Sequence, residues 1–195
     1  MKRPVAVAIT GGIGAGKSEA LAAFARHGAA TISSDDIVHR LLREDPDVHA
    51  ALVGRFGGRV LDEAGRLDRK AIAEIVFGDR EALLWLEQLL HPRVVAEYLA
   101  WREALARQPN PPPVTATEVP LLYEAGGETR FDKVVVVTAP PDVRGDRTRV
   151  PTPEEREARL IADDEKVKRA DFAYVNDGTL EELDAFVAGV MEQLA

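Results

Sequence analysis

Apolar positions along this 195-residue chain follow two rhythms. VAVAI at 5–9 and KVVVVTA at 133–139 are continuous β-rich runs, the pattern of strands buried on both faces of a parallel sheet. VTATEVPLL at 114–122 reads as a further strand, FAYV at 172–175 as a last short one, and a turn at Gly28 leads into another near Ala29–Ile32. Between them the spacing is helical. Leu21, Phe24 and Ala25 share one face after the first strand, and a helix opens at Ser33 or Ser34, where Ser-Ser-Asp-Asp offers good capping chemistry. From Pro46 to Gln108 the pattern is mostly helical, with GGRVLDEAGRLDRKAIAEIVF at 57–77 a glycine-marked link into a helix. His91-Pro92 should kink or interrupt the long run at 80–106, because proline disfavours helix at the residue before it. RQPNPPP at 107–113 breaks the pattern, 140–169 is a polar, charged helical stretch, and LEELDAFVAGVMEQLA at 180–195 is an amphipathic helix capped by Thr179. Strands alternating with helices predict an α/β fold with a parallel sheet.

The first connection carries chemistry. AITGGIGAGKSEAL, residues 8–21, places Gly11, Gly16, Lys17 and Ser18 at every fixed position of the phosphate-cradling pattern G-x-x-x-x-G-K-[ST]. The dinucleotide fingerprint G-x-G-x-x-G fails in either frame, since its third glycine would fall on Lys17 or Glu19. Asp35 and Asp36, about twenty residues on, therefore do not read as ribose-binding acids of that fingerprint. In a strand–loop–helix context, backbone N–H groups from Gly12, Ile13, Gly14, Ala15 and Gly16 and the helix N-terminus face the phosphates. Lys17 then reaches the β- and γ-phosphates, and the Ser18 hydroxyl ligates Mg²⁺.

Composition narrows the class. Apolar residues make up 46% and charged residues 30%, as in soluble globular chains. The net charge of −8 leaves no broad basic face for nucleic acid or a membrane surface, so phosphate binding rests on a few local lysines and arginines. With no cysteine, disulfides, thiolate metal sites and cysteine nucleophiles are excluded. The start does not read as a signal peptide, and no apolar stretch approaches membrane-spanning length, so a cytoplasmic enzyme is expected. The four histidines show no metal-ligand spacing. Trp85 and Trp101 fall on a helix and read as packing residues.

TGGIGAGKS, SSDDIVHRLL, GRLDRKAIAEIVF, LLHPRV, EVPLLYEAG and EKVKRADFAYVNDGT occur in that order, and with them the chain resembles the dephospho-coenzyme A kinase family from Val5 to about Leu183. The resemblance implies a P-loop NTPase three-layer fold, comprising a nucleotide core at about 1–38, 110–140 and 171–195, a helical substrate-binding insertion at about 39–109, and a lid at about 141–170. It implies ATP-dependent, Mg²⁺-assisted phosphorylation of the ribose 3′-hydroxyl of dephospho-coenzyme A; a monomer is the expected state, which the sequence does not fix. The loop by itself also fits another P-loop metabolite kinase, which would not share LLHP or PLLYE, or a non-catalytic ATP-dependent switch, which acceptor turnover would exclude.

Several residue roles follow. Asp35, just past the second strand at the carboxyl edge of the sheet, is the expected carboxylate that orients or deprotonates the acceptor; a helix cap is its competing reading. Arg147 and Arg149 are expected over the transferring phosphate, as a cis arginine finger is; solvated helix arginines are the alternative. Glu118 holds Mg²⁺ through water or is structural. The resemblance assigns Arg66, Arg69 and His91 to the coenzyme pocket, with Pro120 and Leu121 of PLLYE, and Asn176 to the adenine side; turn roles compete for His91 and Asn176. There are departures. Ser33 stands where the family has the first Asp of Asp-x-Asp, Glu19 stands where Thr is usual, and the lid is short, with Pro151 where another arginine is common.

Overall fold

The computed structural model describes residues 3–147 and 161–194. Its chain divides into two compact units, one of residues 1–34 with 102–195 and the other of residues 35–101. In the first unit β1 (Val5–Thr10), β2 (Ala30–Ser33), β3 (Val114–Glu118), β4 (Lys133–Thr138) and β5 (Phe172–Val175) form one parallel sheet in the order β2-β3-β1-β4-β5. The three central strands are buried almost completely; the apolar runs of β1 and β4 require it, and β3 takes Thr115, Thr117 and Glu118 inside with it. At the edge, β5 alternates between half-buried and exposed positions.

Alternation along the strands divides the core between two faces. Val7 and Ile9 of β1 and Val135 and Val137 of β4 join a cluster with Phe24 of α1 (Lys17–Arg26) and with Leu183, Val187 and Val190 of the C-terminal helix Leu180–Leu194. Ala8, Val134 and Val136 point the other way, against Leu122 and Tyr123 beyond β3, with Ile161 and Ala170 partly buried beside them. Helices and connections thus cover both faces of an α/β sheet. Thr179 caps the C-terminal helix as expected. Its hydroxyl accepts from Glu182 N at 3.2 Å, while Glu182 Oε2 accepts from Thr179 N at 2.8 Å, a reciprocal box that satisfies two orphan donors.

The second unit is helical. α2 (Ser34–Glu44) begins one residue before the division; α3 (Pro46–Phe56), α4 (Arg69–Phe77) and α5 (Arg80–Ala106) follow. Asp45 and Asp68 cap α3 and α4, each accepting two backbone N–H bonds. Val48, Leu52, Phe56, Ile72 and Val76 are buried, and the Phe56 and Trp85 rings meet edge-on at 5.4 Å. The interruption expected at His91-Pro92 does not occur: α5 runs unbroken for 27 residues with Pro92 inside it. A mid-helix proline removes one bond and disturbs the next, at a cost of about 3 kcal/mol. Here Arg93 Nη1 donates to Leu89 O at 2.7 Å, supporting a carbonyl of the affected turn. Leu90, Val94 and Tyr98 are buried along the helix on either side of the proline, and this burial outweighs the local preference. The last turn of α5 belongs to the first unit, where Arg102 donates to Arg130 O at 2.9 Å and stacks on Phe131.

Two shorter helices follow among the described residues, α6 (Pro141–Arg147) and α7 (Asp163–Arg169); the C-terminal helix is α8. Among the described residues no helix is long and apolar enough to cross a membrane.

Candidate nucleotide-binding site

The glycine loop leaves β1 at the carboxyl edge of the sheet and turns into α1 at Lys17. Two glycines are dictated by the backbone. Gly11 has φ 141°, and a β-carbon there would stand 1.8 Å from the Val137 carbonyl oxygen of β4, so no side chain fits. Gly16, the residue before α1, is left-handed at φ 97°, ψ 24°, which releases the first N–H groups of the helix toward the loop. Inside the loop Lys17 is mostly buried, and its Nζ donates to Gly12 O at 2.8 Å. The ammonium is therefore held against the loop backbone.

Asn176 fixes the far wall. It is buried immediately after β5; its Nδ2 donates to Ala15 O at 2.8 Å and its backbone N to Thr138 O at 2.7 Å. A single residue thus ties β4, β5 and the phosphate loop together. Ser18 Oγ lies 3.4 and 3.3 Å from the two carboxylate oxygens of Glu118, itself buried at the end of β3. This is a hard, all-oxygen pair. Mg²⁺ favours a few oxygen ligands plus water and phosphate, rather than an all-protein cage. Among the described residues no three His, Cys, Asp or Glu side chains cluster as such a cage would. The Ser18–Glu118 pair fits a phosphate-bridged Mg²⁺.

Beyond β3 the PLLYE segment is fastened to α7. Lys166 is wholly buried, with its Nζ 2.8 Å from Glu124 Oε1, which also accepts from Ile161 N at 3.0 Å. Arg169 stacks on the Tyr123 ring at 4.2 Å and pairs with Glu128. Burial pushes the Tyr123 hydroxyl up from its ordinary pKa. Pro120 O accepts from Thr10 Oγ1 at 3.3 Å, and Leu121 is exposed.

The remaining candidate residues are placed as follows. Gly12 to Glu19 are contiguous through the loop and the first turn of α1. Asp35 and Asp36 are both exposed in the first turn of α2, two and three residues past Ser33, which is in register with Glu118. Within the second unit Arg69 pairs with His39, Arg66 with Asp62 at 2.9 Å, and His91 is exposed on α5. Arg149, Pro151 and the rest of the expected lid from 148 to 160 lie outside the described residues, as does the side chain of Arg147. Sequence reasoning missed Arg144, Asp163, Glu124 and Lys166. In a charged stretch Arg144, Asp163 and Lys166 look like any solvated helix residues, and Glu124, though inside PLLYE, carries no local sign of its partner.

Comparison with known proteins adds the family. The dephospho-CoA kinase family model matches residues 5–182. The chain is 38% identical over 194 residues to a dephospho-CoA kinase from Thermobifida fusca, covering 96% of this chain and 95% of that relative. A solved structure from Thermus thermophilus superposes with a TM-score of 0.78 at 34% identity over the whole of both chains. The dephospho-CoA kinase of Campylobacter jejuni does so with a TM-score of 0.69 at 27% identity, covering 97% of each.

Proposed function

Because the chain belongs to the dephospho-CoA kinase family, we propose that it transfers the γ-phosphoryl group of ATP to the ribose 3′-hydroxyl of dephospho-coenzyme A, releasing ADP and coenzyme A. The observation that carries the reading is the loop: Lys17 is seated on the Gly12 carbonyl and flanked by the Ser18–Glu118 oxygen pair, at the carboxyl edge of a parallel sheet. That is where ligands bind in open α/β folds.

Phosphoryl transfer leaves the protein little covalent work, so its residues position groups and neutralise charge. Loop N–H groups and the α1 N-terminus bind the phosphate oxygens, and Lys17 offsets the charge that shifts from the γ-phosphoryl group to the leaving β-phosphate. Ser18, and Glu118 through water, would hold Mg²⁺, which would offset negative charge on the phosphates. Asp35 is the general base: its carboxylate orients the 3′-hydroxyl and takes its proton as the oxygen bonds to phosphorus and the β–γ bridge breaks. Its place two residues beyond β2, at the carboxyl edge, supports the role. Arg66, Arg69, His91, Pro120 and Leu121 contact the coenzyme, Arg147 and Arg149 the transferring phosphate, and Asn176 holds the nucleotide side of the loop.

A coupled ADP-release assay across dephospho-coenzyme A, adenosine, AMP and shikimate tests the proposal. Stoichiometric turnover with dephospho-coenzyme A alone is expected. Turnover with another acceptor instead, or ATP binding without any acceptor turnover, overturns it.

A further inference from the structure

Gly12 is crowded from outside the loop. A β-carbon on it would stand 2.7 Å from Arg144 Nη1 of α6 and 3.2 and 3.3 Å from the two carboxylate oxygens of Asp163, the first residue of α7. Arg144 and Asp163 also pair with each other, Nη1 to Oδ2 at 3.2 Å, with roughly a third of each side chain exposed. An ion pair therefore lies directly on the phosphate loop, above the residue whose carbonyl holds the Lys17 ammonium. Since Lys17 reaches the β- and γ-phosphates, a guanidinium over Gly12 stands at the γ end of the nucleotide.

We propose that Arg144 is a γ-phosphate ligand of this kinase, and that Asp163 competes with ATP for its guanidinium. The inference rests on the ATP-kinase reading. The Asp163 carboxylate, 26% exposed, is still reached by solvent, which screens the pair and weakens it. A triphosphate offers more negative charge and can accept two parallel N–H bonds, the geometry that guanidinium groups favour. Asp163 beside a bound triphosphate would face like charge across the loop, so nucleotide binding disfavours the Asp163–Arg144 pair while it favours Arg144–phosphate. With the loop free, the same carboxylate keeps the guanidinium at the loop rather than in solvent. Gly12 gives both groups room to approach the backbone.

Direct binding of a non-hydrolysable ATP analogue and of ADP, measured by titration calorimetry, tests this. Analogue binding by the unaltered protein checks the ATP reading separately. Arg144→Gln should weaken the analogue roughly 10–100-fold, the loss of a charge-assisted contact, and ADP much less. Asp163→Asn should tighten the analogue about two- to fivefold, the value of a screened pair released. The double variant should bind as Arg144→Gln does. A clasp that merely joins α6 to α7 predicts something different: both single variants weaken the analogue, and ADP suffers equally. Either of those results, or unchanged binding in Arg144→Gln, overturns the proposal.

Discussion

Replacing Lys166 by methionine removes a charge from the centre of the α7 anchor. Lys166 is 0% exposed, and its ammonium sits 2.8 Å from Glu124 Oε1. The carboxylate it leaves behind would keep one charged-group bond, from Ile161 N at 3.0 Å, while its Oε2 is buried without a hydrogen-bond partner. Breaking a buried pair on one side costs about 3–5 kcal/mol, because the remaining charge is neither hydrated nor compensated. For a chain of this size that corresponds to a melting midpoint lowered by roughly 6–20 °C. Removing both charges, in Lys166→Met with Glu124→Leu, should return stability to within about 1 kcal/mol of the original, since no charge is then stranded. Urea unfolding of the two variants gives the comparison. A loss below about 1 kcal/mol in Lys166→Met would falsify the buried-charge account, because it would mean that water reaches Glu124. A double variant as unstable as the single one would locate the cost in packing instead.

Gly11→Ala should abolish binding of an ATP analogue and cost at least about 1–3 kcal/mol, the usual penalty of overpacking, since its β-carbon meets the Val137 carbonyl. Gly28→Ala, also at positive φ but with open space around it, should lose only about 1–2 kcal/mol and bind normally. Asp35→Asn should lower turnover at saturating substrates ~10²–10⁴-fold with ATP affinity unchanged, whereas Asp36→Asn should turn over normally; the reverse order would move the base by one residue. Lys17→Ala should abolish transfer and weaken ATP binding, and near-normal turnover would remove the loop from the mechanism. The Arg3 guanidinium, bonded to both carboxylate oxygens of Asp132 at 2.6 Å, holds that carboxyl below the usual carboxylate range, with Ala6 N adding a further bond. Its contribution is therefore full above the unfolded value near pH 4 and fades as pH falls through the lower folded value. Asp132→Asn should flatten the fall in unfolding midpoint across that acid range; an unchanged slope would count against the pair.

Parts of this protein were legible because their causes are local. VAVAI and VVVV are apolar without a break, and only a two-sided environment accommodates such runs, so central parallel strands follow directly. Gly11, Gly16, Lys17 and Ser18 announce a phosphate loop because backbone conformation and ligand chemistry both demand those residue types at that spacing. Thr179 with Glu182 fixes a helix start through bonds that span only three residues. Pro92 misleads for the complementary reason: its local preference is real, but burial of Leu90, Val94 and Tyr98 along α5 outweighs it, and burial is not a local property. Lys166 and Arg144 belong to the same class. In EKVKR and PPDVRGD they are indistinguishable from solvated charges. Only the packing of α7 against the PLLYE segment buries Lys166 on Glu124, and only the approach of α6 and α7 to Gly12 brings Arg144 to the phosphate loop. The sequence by itself determined which elements form and which of them carries phosphate chemistry. Which charges are buried, and which guanidinium lies against the phosphate loop, was decided by tertiary contacts between residues far apart in the chain, for which local pattern holds no record.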